Sequence, residues 1–244
     1  MKFFTLTKLG LALLMLTTAV AVGLSGCGDD NGTNSGGGNN IPAVDPSTVV
    51  RGTFTDDRDN QTYKTVKIGS QTWMAENLNY ETDNSMCYDD ADSNCVKYGR
   101  LYTWDPASTA CPRGWHLPDT TDWVRLMKAV GGRDSTMMCF SGRCFVYWFG
   151  ASTKLKATSG WDYQDIISNG TDDYGFSALP GGFAGSTGLC FGVGTNTIWW
   201  TAKEICEGGY CEHAYDISTN GNDDLGVGFV GKSQHYSVRC IADD

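Results

Sequence analysis

Ten cysteines are the residues most able to do chemistry in this chain. Three pairs are close in sequence, Cys87 with Cys95, Cys139 with Cys144 and Cys206 with Cys211, while Cys111 and Cys240 remain as widely spaced candidates. In an oxidising compartment such spacings read first as disulfides. Chain entropy assigns roughly 2 kcal/mol to each short loop and roughly 4–5 kcal/mol to the long one. Cys190 is left over, either buried and inert or able to exchange into one of the pairs. Cys206, Cys211 and His213 have about the spacing of zinc ligands, but no second pair matches them and no Cys-x-x-Cys occurs.

Other side chains offer weaker signals. Asp90, Asp92 and Asn94 alternate as calcium ligands do, yet Cys95 and Leu101 occupy the places of the glycine and distal glutamate of an EF-hand loop. Asp172-Asp173 and Asn222-Asp223-Asp224 are further acidic turns. Solvated turns and calcium sites both fit these strings, and calcium is the one ion they suggest as a cofactor. His116, Glu76 and the aspartates could serve as acids and bases, but sequence supplies no pair at known separation. No nucleophile elbow, His-Glu-x-x-His, P-loop or dinucleotide fingerprint is present, so catalysis is the minority expectation. Flat aromatic faces stack on sugar rings, and Tyr147, Trp148, Trp161 and Tyr163, beside cysteine or glycine loops, are the candidate ligand platform. Trp73, Trp104, Trp115, Trp123, Trp199 and Trp200 are expected in the core.

The elements that must carry these residues begin with a short basic start, Lys2 and Lys8, and an apolar run from Leu9 to Leu24. This is the pattern of a signal peptide over 1–26, too short to read as a spanning helix. Small residues before Cys27 resemble a lipobox, which implies lipidation of Cys27 and anchorage to a membrane. Gly28 beside it suggests the outer membrane, by resemblance to sorted lipoproteins, and Asp29-Asp30 resemble a surface-export signal. Residues 27–50 carry no aromatic side chain and read as a flexible tether of roughly 25 Å. Residues 51–244 are long enough for one domain with a real core. Without its first 26 residues the chain has a net charge near −12, which disfavours nucleic acid and anionic lipid as partners.

Within the domain, Tyr63 to Met74 reads as a hairpin turning at Gly69-Ser70. Residues 119–132 read as a helix, with Asp119 as N-cap, Trp123, Leu126, Met127 and Val130 on one face, and Gly131-Gly132 as its stop. Leu78 to Leu101 reads as acidic loop, and Tyr236 to Ile241 alternates like a closing strand. The expectation is an α+β, loop-rich, disulfide-stapled domain of small twisted antiparallel sheets with one or two helices.

Several strings resemble one family. Cys111-Pro112-Arg113-Gly114-Trp115-His116-Leu117-Pro118 with Asp122-Trp123, the run Gln71 to Leu78, Gly175 to Gly182, Trp199 to Ala202 and Ser237 to Cys240 are similar, in order, to the Fibrobacter succinogenes major paralogous domain. The resemblance spans about residues 52–242. It implies a fold related to C-type lectins and to the sulfatase-modifying factors, and a cell-surface location, with a polysaccharide or a surface protein as partner. It implies no settled activity. The sugar-holding tripeptides of calcium-dependent C-type lectins do not occur here, and no cysteines map onto the reactive pair of the formylglycine-generating relatives.

Overall fold

A computed structural model describes residues 42–140, 143–162, 169–219 and 224–244; of 134–140 and 143–145 only the backbone is described. In chain order the strands are β1 (Val50–Thr55), β2 (Thr62–Ile68), β3 (Gln71–Met74), β4 (Ser85–Met86), β5 (Leu101–Tyr102), β6 (Trp115–His116), β7 (Arg133–Phe140), β8 (Arg143–Phe149), β9 (Gly181–Ala184), β10 (Cys190–Val193), β11 (Thr197–Glu207), β12 (Tyr210–Thr219), β13 (Asp224–Gly231), β14 (Tyr236–Ser237) and β15 (Ile241–Ala242). The α-helices are α1 (Asp92–Tyr98), α2 (Trp104–Ala107), α3 (Thr120–Ala129) and α4 (Ser152–Leu155). The domain is therefore mostly sheet with few helices.

The smaller sheet has the order β1-β2-β3-β15-β6 and is antiparallel throughout. Its β2–β3 hairpin turns at Gly69, whose φ of +62° suits the first position of a two-residue hairpin loop. The larger sheet runs β4-β5-β14-β11-β12-β13-β8-β7, with the β9–β10 hairpin joined to β11 through β9. α3 begins in a capping box: the Asp122 N–H donates to Asp119 Oδ1 at 2.9 Å, and the Asp119 N–H donates to Asp122 Oδ2 at 3.0 Å. Its apolar face, Trp123, Leu126 and Met127, is fully buried. Those residues join Val66, Ile68 and Trp73 of the small sheet and Trp199 of the large one in a single core cluster. A second cluster holds Tyr63, Met74, Tyr102, Trp200, Val238 and Cys240.

Three expectations change. The segment Pro42–Val49 is docked rather than free: the Val44 N–H donates to Ala129 O at 2.7 Å, Tyr174 Oη donates to Val44 O at 2.9 Å, and Val44 and Val49 pack on the core. Two valines supply the apolar area that the glycine- and asparagine-rich run before them lacks. The acidic stretch between Leu78 and Leu101 contains α1, which is short and has no apolar stripe long enough to read as periodic. The closing strand is two strands: β14 pairs with β5 and β11, β15 pairs with β3 and β6, and the chain crosses between the sheets at Val238–Cys240. Every residue from Tyr236 to Ile241 is buried, so the alternation of residue types does not mark a wet face.

Candidate functional site

The cysteines are placed largely as their spacing implies. Disulfides join Cys87 to Cys95, Cys111 to Cys240 and Cys206 to Cys211. Cys139 and Cys144 face each other in the β7–β8 register, but their side chains lie outside the described residues. Cys27 and Tyr163 also lie outside them. Cys190 is the one free cysteine among the described residues. Its thiol sits under the Asp89 N–H at 3.2 Å, and burial pushes its pKa up. Glu204 converges on Cys206 and Cys211, but those two sulfurs are spent on each other, so no zinc set forms there.

The proposed aromatic platform is not a surface. Trp148 and Trp161 are only 6 % and 4 % exposed. Trp148 belongs to the α3 core cluster, and Trp161 Nε1 donates to Ala178 O at 3.1 Å. Burying these large rings outweighs leaving them as stacking faces. Tyr147, in β8, is half-buried. Among the described residues the calcium expectation gains no geometry either; Asn222 and Asp223 lie outside them. Asp90 and Asp92 point into solvent, Asp90 sits at a φ of +52°, and Asn94 Nδ2 is turned inward to donate to Tyr88 O at 2.9 Å. Asp172 is closed by its own turn, accepting from Ser177 N at 2.7 Å and Ser177 Oγ at 2.6 Å. His116, in β6, is held between two carboxylates, with Nδ1 2.6 Å from Asp243 and Nε2 3.7 Å from Asp122.

The strings that carry the family resemblance meet at one buried node that sequence did not reveal. Arg239, between β14 and β15, is fully buried. Its Nε and Nη2 donate to Asn77 Oδ1 at 2.9 and 2.7 Å, and its Nη1 donates to Phe176 O at 2.7 Å and Met74 O at 3.3 Å. Trp199 Nε1 donates to the same Asn77 oxygen at 2.9 Å, and Asn77 Nδ2 donates to Tyr98 O at 2.8 Å. The guanidinium lies 4.6 Å from the Phe176 ring centre. It lies 5.9 Å from the Trp199 ring centre, and Trp73, Trp123, Phe176 and Trp199 pack on one another with centroids 4.9–6.2 Å apart. Burial pushes the Arg239 pKa down to about 9, against the attraction of Glu76 and Asp172, so the group remains a cation at neutral pH. The only sequence signal was Asn77 and Arg239 standing in two of the family strings.

Arg239 forms part of the wall of a cleft of about 220 Å³ between β2, the start of the Ala75–Asn79 segment and the end of α1. Gln61, Lys64, Glu76, Asn79 and Lys97 bring side-chain donors and acceptors to it, with Val96 and Leu179 as apolar rim. Gly99 lets the chain close over it: φ is +79°, and a Cβ there would stand 2.7 Å from that of Asn77. Glu76 Oε2 accepts the Lys64 N–H at 2.8 Å. Glu76 is the only carboxylate among the described lining residues, whereas hydrolysis of a glycosidic bond employs two.

Frame and site together define a disulfide-crosslinked, predominantly β domain whose family strings build its interior. Residues 66–242 match the Fibrobacter succinogenes major domain, and the chain belongs to that family. No curated protein and no solved structure matches it.

Proposed function

We propose that this chain is a lipid-anchored protein of the outer membrane whose domain, C-type-lectin-like in fold, binds a carbohydrate or protein partner without catalysis. The observation that carries the reading is how the polar groups are divided. Residues of the family strings meet in the buried Arg239 node, and the cleft beside it gathers side-chain donors and acceptors from Gln61, Lys64, Glu76, Asn79 and Lys97. Rigid elements holding a few convergent polar groups are the ordinary make-up of a binding site. The lipid anchor rests on the first 27 residues of the sequence.

Pull-down on cellulose and xylan, with a glycan array in the presence and absence of calcium, tests the carbohydrate form. Retention of the wild type, reduced when Lys97 and Glu76 are both replaced by alanine, is the expected result. Silence on every surface counts against it. The protein-partner form draws on a different feature, the solvent-exposed end of the β11–β12 hairpin. That end is pinned by Cys206–Cys211 and carries Tyr210 at 74 % exposure. Crosslinking on intact cells should then capture one repeated partner, lost on Tyr210→Ala and unaffected by competing glycans.

A further inference from the structure

We propose that the cleft beside Arg239 is a carboxylate site that takes a single uronic-acid unit carried on an otherwise neutral polysaccharide. The inference deepens the carbohydrate reading above and rests on it.

The chain as a whole has a net charge of −10, yet the cleft is lined by three cations, Lys64, Lys97 and Arg239, against one carboxylate, Glu76. Its local sign therefore opposes that of the molecule. Glu76 offsets only one of the three, since it is paired with Lys64 at 3.5 Å and accepts the Lys64 backbone N–H, which leaves Lys97 and Arg239 in excess. Arg239 is solvated by neutral acceptors alone, Asn77 Oδ1 and the Met74 and Phe176 carbonyls. A guanidinium has five N–H donors, and these contacts use four. A buried cation whose contacts are all neutral leaves a field that an anion in the adjoining cleft would satisfy, and buried charge is poorly screened by salt.

Asn79 separates a sugar acid from a bare anion. Asn79 also lines the cleft, and its Oδ1 is a buried acceptor without a hydrogen-bond partner. An acceptor needs a donor, which a carboxylate cannot supply and a hydroxyl can. Rotation about the last bond of an asparagine side chain is soft, so the amide can turn to meet one. Cations for a carboxylate next to an orphaned acceptor for a hydroxyl describe the two ends of a uronic acid.

Size and the global charge set the remaining terms of the ligand. At about 220 Å³ the cleft is smaller than the roughly 300–1,000 Å³ of sites for drug-sized ligands, so it admits one unit. The net charge of −10 on the chain disfavours a polyanion, which favours an isolated uronate over a homopolymer.

Titration of the full domain with glucuronate, glucose and acetate, followed by NMR shifts of the Ala75–Asn79 and Val96–Gly99 amides, tests this. Glucuronate is expected to bind about tenfold or more tightly than glucose or acetate, as charge-assisted hydrogen bonds would give. Lys64→Gln with Lys97→Gln, both at exposed side chains, should lower that affinity severalfold and leave the melting curve unchanged. A glucuronate-branched neutral oligosaccharide should outbind a polyuronate of equal length. Equal affinity for glucose and glucuronate overturns the carboxylate site and leaves the sugar reading standing. Equal affinity for acetate and glucuronate overturns the sugar acid in favour of a plain anion site. Preference for the polyuronate overturns the isolated unit. No shift with any of them, together with an empty glycan array, overturns both readings.

Discussion

Asn77 Oδ1 accepts three hydrogen bonds, two from Arg239 and one from Trp199, while the amide nitrogen of the same side chain holds Tyr98 O. Removing it strands a buried guanidinium and two buried neutral partners at once. Leaving a buried cation and two buried neutral groups short of their hydrogen bonds costs about 3–5 kcal/mol in all. Asn77→Ala should lie in that range, read as a lowered urea midpoint with an unchanged slope. A loss under about 1 kcal/mol would show that water replaces the amide. At this scale the sequence was legible where chemistry is local. The tryptophans of the family strings read as core, and Trp73, Trp123, Trp199 and Trp200 are 0–1 % exposed, whereas Trp115 is only partly buried at the edge of the second cluster. It was not legible for Arg239, because the group that makes an arginine tolerable in the interior lies far away along the chain. For Trp148 and Trp161 the reading failed for a related reason. An aromatic residue beside a loop looks the same in sequence whether its ring faces out or in.

Among the elements, β15 is short but sits inside the small sheet, between β3 and β6, and Cys240 precedes it directly. The Cys111–Cys240 disulfide therefore fixes the strand on which the sheet depends for continuity. Its partners are separated by 129 positions, which gives about 5 kcal/mol of unfolded-state entropy, against about 2 kcal/mol for the Cys206–Cys211 loop. Replacing Cys111 and Cys240 together by alanine should lower the melting temperature far more than the same change at Cys206 and Cys211. Equal shifts would mean that native packing, and not chain entropy, sets the contribution. The β2–β3 hairpin and α3 were readable because turn, cap and period agree in each. The β11–β12–β13 arrangement was not, since its strands combine one-sided burial with register shifts after Trp200 and Ile205 that break the period of two.

For the whole molecule, acid is the expected weakness. Burial alone would raise the carboxyl of Asp56, but its bonds to Arg58, including Nη2 at 2.6 Å, outweigh that and hold it below the usual range. Burial likewise acts on Asp119, and the Thr121 hydroxyl with the Thr121 and Asp122 N–H groups overcomes it. Both pKa values are lowered in the folded state. The stability they contribute is complete above the ordinary carboxylate value near 4 and is lost as the pH falls through the lowered values. Urea midpoints should therefore hold between pH 7 and about 5 and decline below about 4; a flat profile to pH 2 would refute this account. The class of fold, mostly sheet with few helices and several crosslinks, was readable from composition and cysteine spacing. The division into two sheets was not, since it depends on where a single buried run changes partners.

That change of partners has a temporal side. Because β15 is the strand that joins β3 to β6, the small sheet remains in two pieces until all the intervening chain has been made and folded back. A nascent chain halted before residue 241 holds a β1–β3 meander with a raw edge and a core open on one side. Such long-range closure folds slowly, so the core stays unsealed until the last residues of the small sheet are seated.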